Sequence, residues 1–112
     1  MKPNVLVVCG RNKRRSRTAE FIFKNDARFN IKSAGLSAQS VVQLNEKLIH
    51  WSDIIFVMDD GQRNRIQKQY KSLDIPRIEN LEIDDVYEYK NEDLIEMLLK
   101  QINETLITVY NI

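Results

Sequence analysis

The chain is short of the residues from which many special sites are built. Its 112 residues include one cysteine, Cys9, and one histidine, His50. A single cysteine closes no intrachain disulfide, and one cysteine with one histidine is too few for a Cys/His zinc cluster. Glycine and proline are also scarce, with three and two residues, while 43% of the chain is hydrophobic and 29% charged. That balance excludes a low-complexity or disordered chain and fits a soluble globular one. No apolar run nears the length of a membrane span, and Val5–Cys9 is too short for the core of a signal peptide. The expectation is a cytoplasmic protein with no membrane partner, no metal and no cofactor. Residues 1–112 suit a single domain with its own hydrophobic core.

Charge of one sign is also missing. Seventeen basic residues stand against sixteen acidic ones, so net charge names no partner. The distribution is uneven, however: Arg11–Arg17 holds five basic residues in seven, and Glu79–Asp93 holds seven acidic residues and one lysine. Two local fields of opposite sign are expected.

Hydrophobic patterning predicts alternating strands and helices. Pro3–Cys9 is short, continuous and valine-rich, the pattern of a strand buried on both faces. Ala19, Ile22 and Phe23 put an apolar stripe on a helix from Ser16 to about Asn25. Phe29–Ser33 is a second strand, with Ala34 and Gly35 suited to a tight exit, and Leu36–Val42 is irregular. Leu44, Leu48 and Trp51 mark a helix over Gln43–Trp51, where Trp51 reads as core and His50 as a surface or helix-end residue. Asp53–Met58 is a third buried strand, and Gln62–Tyr70 a basic, solvated helix. Asp74-Ile75-Pro76 breaks that helix, since the residue before proline is pushed to extended geometry. Arg77–Ile83 is a fourth strand and Asp84–Lys90 an acidic loop. Asn91 caps a last helix whose Leu94, Leu98, Ile102 and Leu106 form one stripe. Such alternation predicts an α/β fold, a parallel sheet with helices on both faces, and ligands at the carboxyl ends of its strands. Cys9 ends the first strand.

The loop after Cys9 carries the chemistry. Cys9, five residues, then Arg15 and Ser16 spell Cys-x5-Arg-Ser. Five residues wrap one turn of backbone around a tetrahedral oxyanion, so that their N–H groups meet its oxygens. Arg15 adds a planar fork to two of those oxygens. The same N–H groups and cations favour thiolate over thiol at Cys9, a nucleophile placed beneath a bound phosphate. The Ser16 hydroxyl can donate to the sulfur. A lone cysteine is most often a buried small hydrophobe. Arg-Ser at this offset by chance is on the order of one in a few hundred, which outweighs that reading.

This segment resembles the phosphate-binding loop of the low-molecular-weight protein tyrosine phosphatases. The resemblance extends to Ser33-Ala34-Gly35, to Asp53–Met58 with Asp59 behind it, and to Ile83-Asp84-Asp85-Val86-Tyr87, which stands where that family has an Asp-Pro-Tyr loop. More specifically, it resembles a short bacterial branch described as predicted tyrosine phosphatases. The resemblance implies a three-layer sandwich whose four-stranded parallel sheet has the order 2-1-3-4. It also implies a phosphomonoesterase working through a cysteinyl-phosphate. Cys9 is then the nucleophile, Arg15 the transition-state clamp, Ser16 the stabiliser of the thiolate and Asp85 the general acid. Asp84 is the rival acid, because Val86 replaces the proline that normally follows. Gly10, Arg11, Asn12, Lys13, Arg14 and Arg15 are implied to bind phosphate, and Ser33 to support Asn12. Tyr87 and Tyr89 either wall the cleft or pack beneath the loop.

This chain departs from the family at several points. Arg11 replaces a small residue, Lys13 and Arg14 make the loop more basic, and Arg17 stands in place of proline. Arg14 also occupies the place of a second loop cysteine found in many relatives. The Leu36–Val42 loop lacks the family's aromatic wall. Added cations favour a more anionic partner: an acidic phosphopeptide, a nucleotide, an RNA end or a sugar phosphate. Two alternatives to a phosphatase stay open: a binding module in which the basic loop holds phosphate or RNA with slow turnover, and a structural protein with an inert cysteine.

Overall fold

The computed structural model describes residues 2–112. Strand β1 (Asn4–Cys9) leads into helix α1 (Arg15–Phe23), followed by β2 (Asn30–Gly35), α2 (Glu46–Trp51), β3 (Ile54–Val57), α3 (Asp60–Gln69), β4 (Arg77–Asn80) and α4 (Glu92–Tyr110). The strands form one sheet in the order β2-β1-β3-β4, and every pairing is parallel. The fold is therefore the expected α/β sandwich. Because side chains alternate along a strand, β1 feeds two cores. Val5, Val7 and Cys9 join the stripes of α1 and α4 on one face, while Leu6 and Val8 join Leu44, Ile49 and Ile66 from the α2 and α3 side. Leu94, Leu98, Ile102 and Leu106 are fully buried. Each such side chain contributes about 1.5–3 kcal/mol relative to exposure, which is what holds a helix of nineteen residues against the sheet.

Several boundaries differ from the sequence expectation, each for a local reason. Helix α2 starts at Glu46 rather than Gln43, because the Asn45 side chain accepts from the Leu48 N–H and caps it there. Leu44 precedes the helix yet is buried, with its carbonyl accepting from the Tyr70 hydroxyl. Asp59 caps α3 through the Gln62 N–H, so this helix begins two residues early, at Asp60. It is less solvated than its charges suggest, since Ile66 and Gln62 are buried and Gln62 accepts from the Met58 N–H. Strand β2 continues through Ala34 and Gly35. Strand β4 stops at Asn80, because Glu82 adopts φ 54° and turns the chain away. Trp51 is half-buried, with the Lys32 ammonium 4.5 Å from its ring centroid, and is not a core residue.

The turn between α1 and β2 is tied to α4 by Arg28, whose guanidinium donates to both Asp26 carboxylate oxygens and to Asn103 Oδ1. Hydrogen bonding from Arg28 outweighs partial burial and holds the Asp26 carboxyl below the usual carboxylate range. A depressed folded-state pKa gives stability that is present above the unfolded value and lost as pH falls through the folded one. Asp26→Asn should lower stability at neutral pH by about 1 kcal/mol. Wild type and variant should converge as pH falls well below about 4. Thermal unfolding across that range measures both.

Candidate active site

Cys9 ends β1 with its sulfur at the floor of a cavity of about 410 Å³ lined by Gly10, Arg11, Lys13, Arg14, Arg15 and Asp85 as well as Cys9 itself. The loop turns at Asn12, which holds φ 55°, a left-handed conformation that asparagine tolerates better than most residues. Its side chain is held at every polar atom. Nδ2 donates to Ser16 Oγ at 2.8 Å and to Ser33 Oγ at 2.9 Å, and Oδ1 accepts from the Val42 N–H.

These bonds hold the hydroxyls around the sulfur. Ser33 donates to Glu20 Oε1 at 2.8 Å, so its oxygen is free to accept from Asn12. Ser16 accepts from Asn12, and its Oγ lies 2.9 Å from Cys9 Sγ, within hydrogen-bond distance. Toward a thiolate this hydroxyl can only donate.

Helix α1 differs from its neighbours at the amino end. The helices α2, α3 and α4 are each capped by the side chain of Asn45, Asp59 or Asn91, and each has an acidic residue in its first turn. Helix α1 has neither a side-chain cap nor an acidic first turn. Its first N–H groups and positive dipole end are available to an anion.

Arg15 is 5% exposed. Its Nη1 donates to the Ile83 carbonyl at 2.7 Å. Its Nε is buried with no hydrogen-bond partner. Asp85 Oδ1 lies 3.5 Å from that nitrogen, an ion-pair distance without a hydrogen bond. A buried unpaired donor on a charged group is costly, and an anion in the cavity would satisfy it. The acidic segment is fastened to α1 a second time, where the Lys90 N–H donates to Thr18 Oγ1.

The structure thus brings together Cys9, Gly10, Arg11, Lys13, Arg14, Arg15 and Asp85 in one cavity, with Ser16 against the sulfur. Two residues stand elsewhere than their expected roles suggest. Asn12 is 1% exposed, and its side chain braces the loop from behind instead of lining the cavity, because its amide is consumed by Ser16 and Ser33. Asp84 is exposed and does not line the cavity. Tyr87 packs at the margin of the α1 and α4 core, and Tyr89 stands edge-on to Phe21 with Arg17 over its ring. Neither walls the cavity. Sequence reasoning missed Glu20, although its place four residues after Ser16, on the same face of α1, was a usable signal. It also missed the Ile83 carbonyl, which no side-chain pattern encodes. Among the described residues, no group of three or more His, Cys, Asp or Glu stands close enough to hold a metal ion.

The sheet order and this loop together define the fold of the low-molecular-weight protein tyrosine phosphatases. Three solved structures with this fold illustrate the likeness. A low-molecular-weight protein tyrosine phosphatase from Streptococcus pyogenes superposes with a TM-score of 0.79 at 18% identity, covering 97% of this chain and 93% of its own. The tyrosine phosphatase AmsI of Erwinia amylovora gives 0.71 at 22% identity, covering 93% of each. The arginine phosphatase YwlE of Geobacillus stearothermophilus gives 0.63 at 19% identity, covering 96% and 97%. No family model and no curated protein matches the sequence.

Gly35 pairs with Cys9 across the sheet, and a Cβ there would lie 2.7 Å from the Asn12 backbone nitrogen and 2.8 Å from the Arg11 carbonyl carbon. Space, not backbone freedom, requires glycine at this position, because its φ is not positive. Gly35→Ala should push the loop outward, cost about 1–3 kcal/mol of stability and weaken phosphate binding. Calorimetric titration with inorganic phosphate and thermal unfolding give the two readouts.

Proposed function

We propose that this chain is a cysteine-dependent phosphomonoesterase. The observation that carries the reading is the meeting, in one cavity, of the Cys9 sulfur, with the Ser16 hydroxyl 2.9 Å from it, and the Nε of Arg15, which has no hydrogen-bond partner, beside Asp85. The fold it shares with phosphatases of tyrosine and arginine supports a phosphorylated substrate.

In the proposed reaction the loop N–H groups and Arg15 receive the phosphoryl oxygens, and the Cys9 thiolate attacks phosphorus from below. The P–O bond to the leaving group breaks as the P–S bond forms, and Asp85 gives its proton to the departing oxygen. Water then attacks the cysteinyl-phosphate, with Asp85 taking its proton. The P–S bond breaks, inorganic phosphate leaves, and the Ser16 hydroxyl stabilises the returning thiolate. Charge on the transferring group is spread over its equatorial oxygens, where pre-placed donors are most effective. Asp85 fits the acid role better than Asp84, being the carboxylate that lines the cavity.

Hydrolysis of p-nitrophenyl phosphate tests the reading. Cys9→Ser should abolish it. Asp85→Asn should lower kcat by about 10²–10⁴-fold on an alkyl phosphate, and less on p-nitrophenyl phosphate, whose leaving group needs less protonation. Asp84→Asn should change kcat little. Absence of Cys9-dependent hydrolysis, with phosphate still bound, would point to the binding module instead.

A further inference from the structure

The cavity is built for charge more than for an aromatic ring. No aromatic residue lines it. The Leu36–Val42 loop bonds to the loop after Cys9 through Ser37 N–H to Gly10 O and Val41 N–H to Arg11 O, and its exposed large hydrophobic residues are Val41 and Val42. Around the mouth stand Arg11, Lys13 and Arg14, in addition to Arg15 at the floor.

One phosphoryl group needs the loop backbone and Arg15, and nothing more. Among the described residues, the exposed Arg11 and Lys13 have no ion-pair partner, and Arg14 has only a 4.0 Å approach to the largely exposed Glu88. Like charges held close together repel one another and are relieved by a bound anion.

Asp85 is the one acidic residue of the lining, 3.5 Å from Arg15, and Arg14 approaches Glu88, so Arg11 and Lys13 carry the unpaired charge of the lining. Two unpaired cations in a cavity of about 410 Å³ suit a compact molecule with a second negative group better than a long polyanion.

Resting on the phosphatase reading above, we propose that the substrate is a small bisphosphorylated molecule. One phosphate sits on the loop backbone and Arg15, and the second sits on Arg11 and Lys13.

The test separates binding from turnover. Calorimetry on Cys9→Ser protein compares fructose 1,6-bisphosphate with fructose 1-phosphate and fructose 6-phosphate. The bisphosphate should bind at least about tenfold more tightly than either monophosphate, a difference of about 1.4 kcal/mol. The preference should shrink at high ionic strength. Adding Arg11→Gln and Lys13→Gln should bring the ratio close to one, with thermal unfolding checking that the variant is folded. Equal binding of mono- and bisphosphate, a preference that survives the double substitution, or tighter binding of an acidic phosphotyrosine peptide or a 5′-phosphorylated oligonucleotide would overturn the proposal. Hydrolysis of p-nitrophenyl phosphate by the wild type is scored separately. Turnover without the bisphosphate preference leaves the phosphatase reading standing, and the preference without turnover leaves the ligand class standing.

Discussion

The Asn12 side chain is the constraint on which the rest of the site depends. Its amide gives one proton to Ser16 and one to Ser33 while its oxygen holds the Val42 N–H. A non-glycine residue at φ 55° persists only where its surroundings over-determine it. Here three separate pieces of chain do so: the start of α1, the end of β2 and the loop before α2. The same bonds hold the Ser16 hydroxyl 2.9 Å from the Cys9 sulfur. Glu20 anchors the far end through Ser33. This carboxylate, four residues after Ser16, thereby fixes the Ser33 oxygen that receives one of the two Asn12 amide protons.

Placement of the acid depends on a different set of contacts. The strand order puts β3 between β1 and β4, so the chain leaving β4 arrives beside the loop that leaves β1. Leu81 and Ile83 still bond to the Val57 and Met58 carbonyls after the sheet has ended. Arg15 then bonds the Ile83 carbonyl, and Thr18 accepts from Lys90. The acidic segment is thus pinned at both ends by α1, the helix that begins at the phosphate loop. One guanidinium links the root of the acidic segment and faces the cavity with its remaining donors. The position of Asp85 and the aim of Arg15 are therefore not independent variables.

Legibility from sequence followed the range of the interactions. Buried strands such as Val5–Cys9 and the stripe from Leu94 to Leu106 announce themselves, because every residue in them reports the same environment. The Cys-x5-Arg-Ser spacing was readable for a similar reason: cysteine, loop and helix start are contiguous in the chain. Caps were harder. Asn45 and Asp59 each moved a helix start by two or three residues, since a cap competes with the next polar residue for the same backbone donors. Gly35 looked like a turn residue and is instead a clearance for the backbone of Arg11 and Asn12, distant in sequence but adjacent in space. Glu20 and the Ile83 carbonyl join the candidate site only because the sheet brings β2 and the acidic segment to α1. No local pattern records a contact between residues 15 and 83.

The site is also where the molecule breaks rules that it keeps elsewhere. Caps complete α2, α3 and α4, but α1 is left open. Arg28 is paired on both carboxylate oxygens of Asp26, whereas the buried Nε of Arg15 has no partner. Asn12 takes a left-handed backbone, and four cations line one cavity against a single acid. Each feature is unfavourable on its own, through lost caps, unsatisfied donors, strain or repulsion. The open helix end, the unpaired donor and the clustered cations would all be relieved by an anion at the carboxyl end of β1, while the Asn12 backbone is held by its own hydrogen bonds. Concentrated local violations of otherwise consistent folding rules are what a preorganised binding site looks like energetically. Stability for tolerating them comes from the two apolar layers on either side of β1.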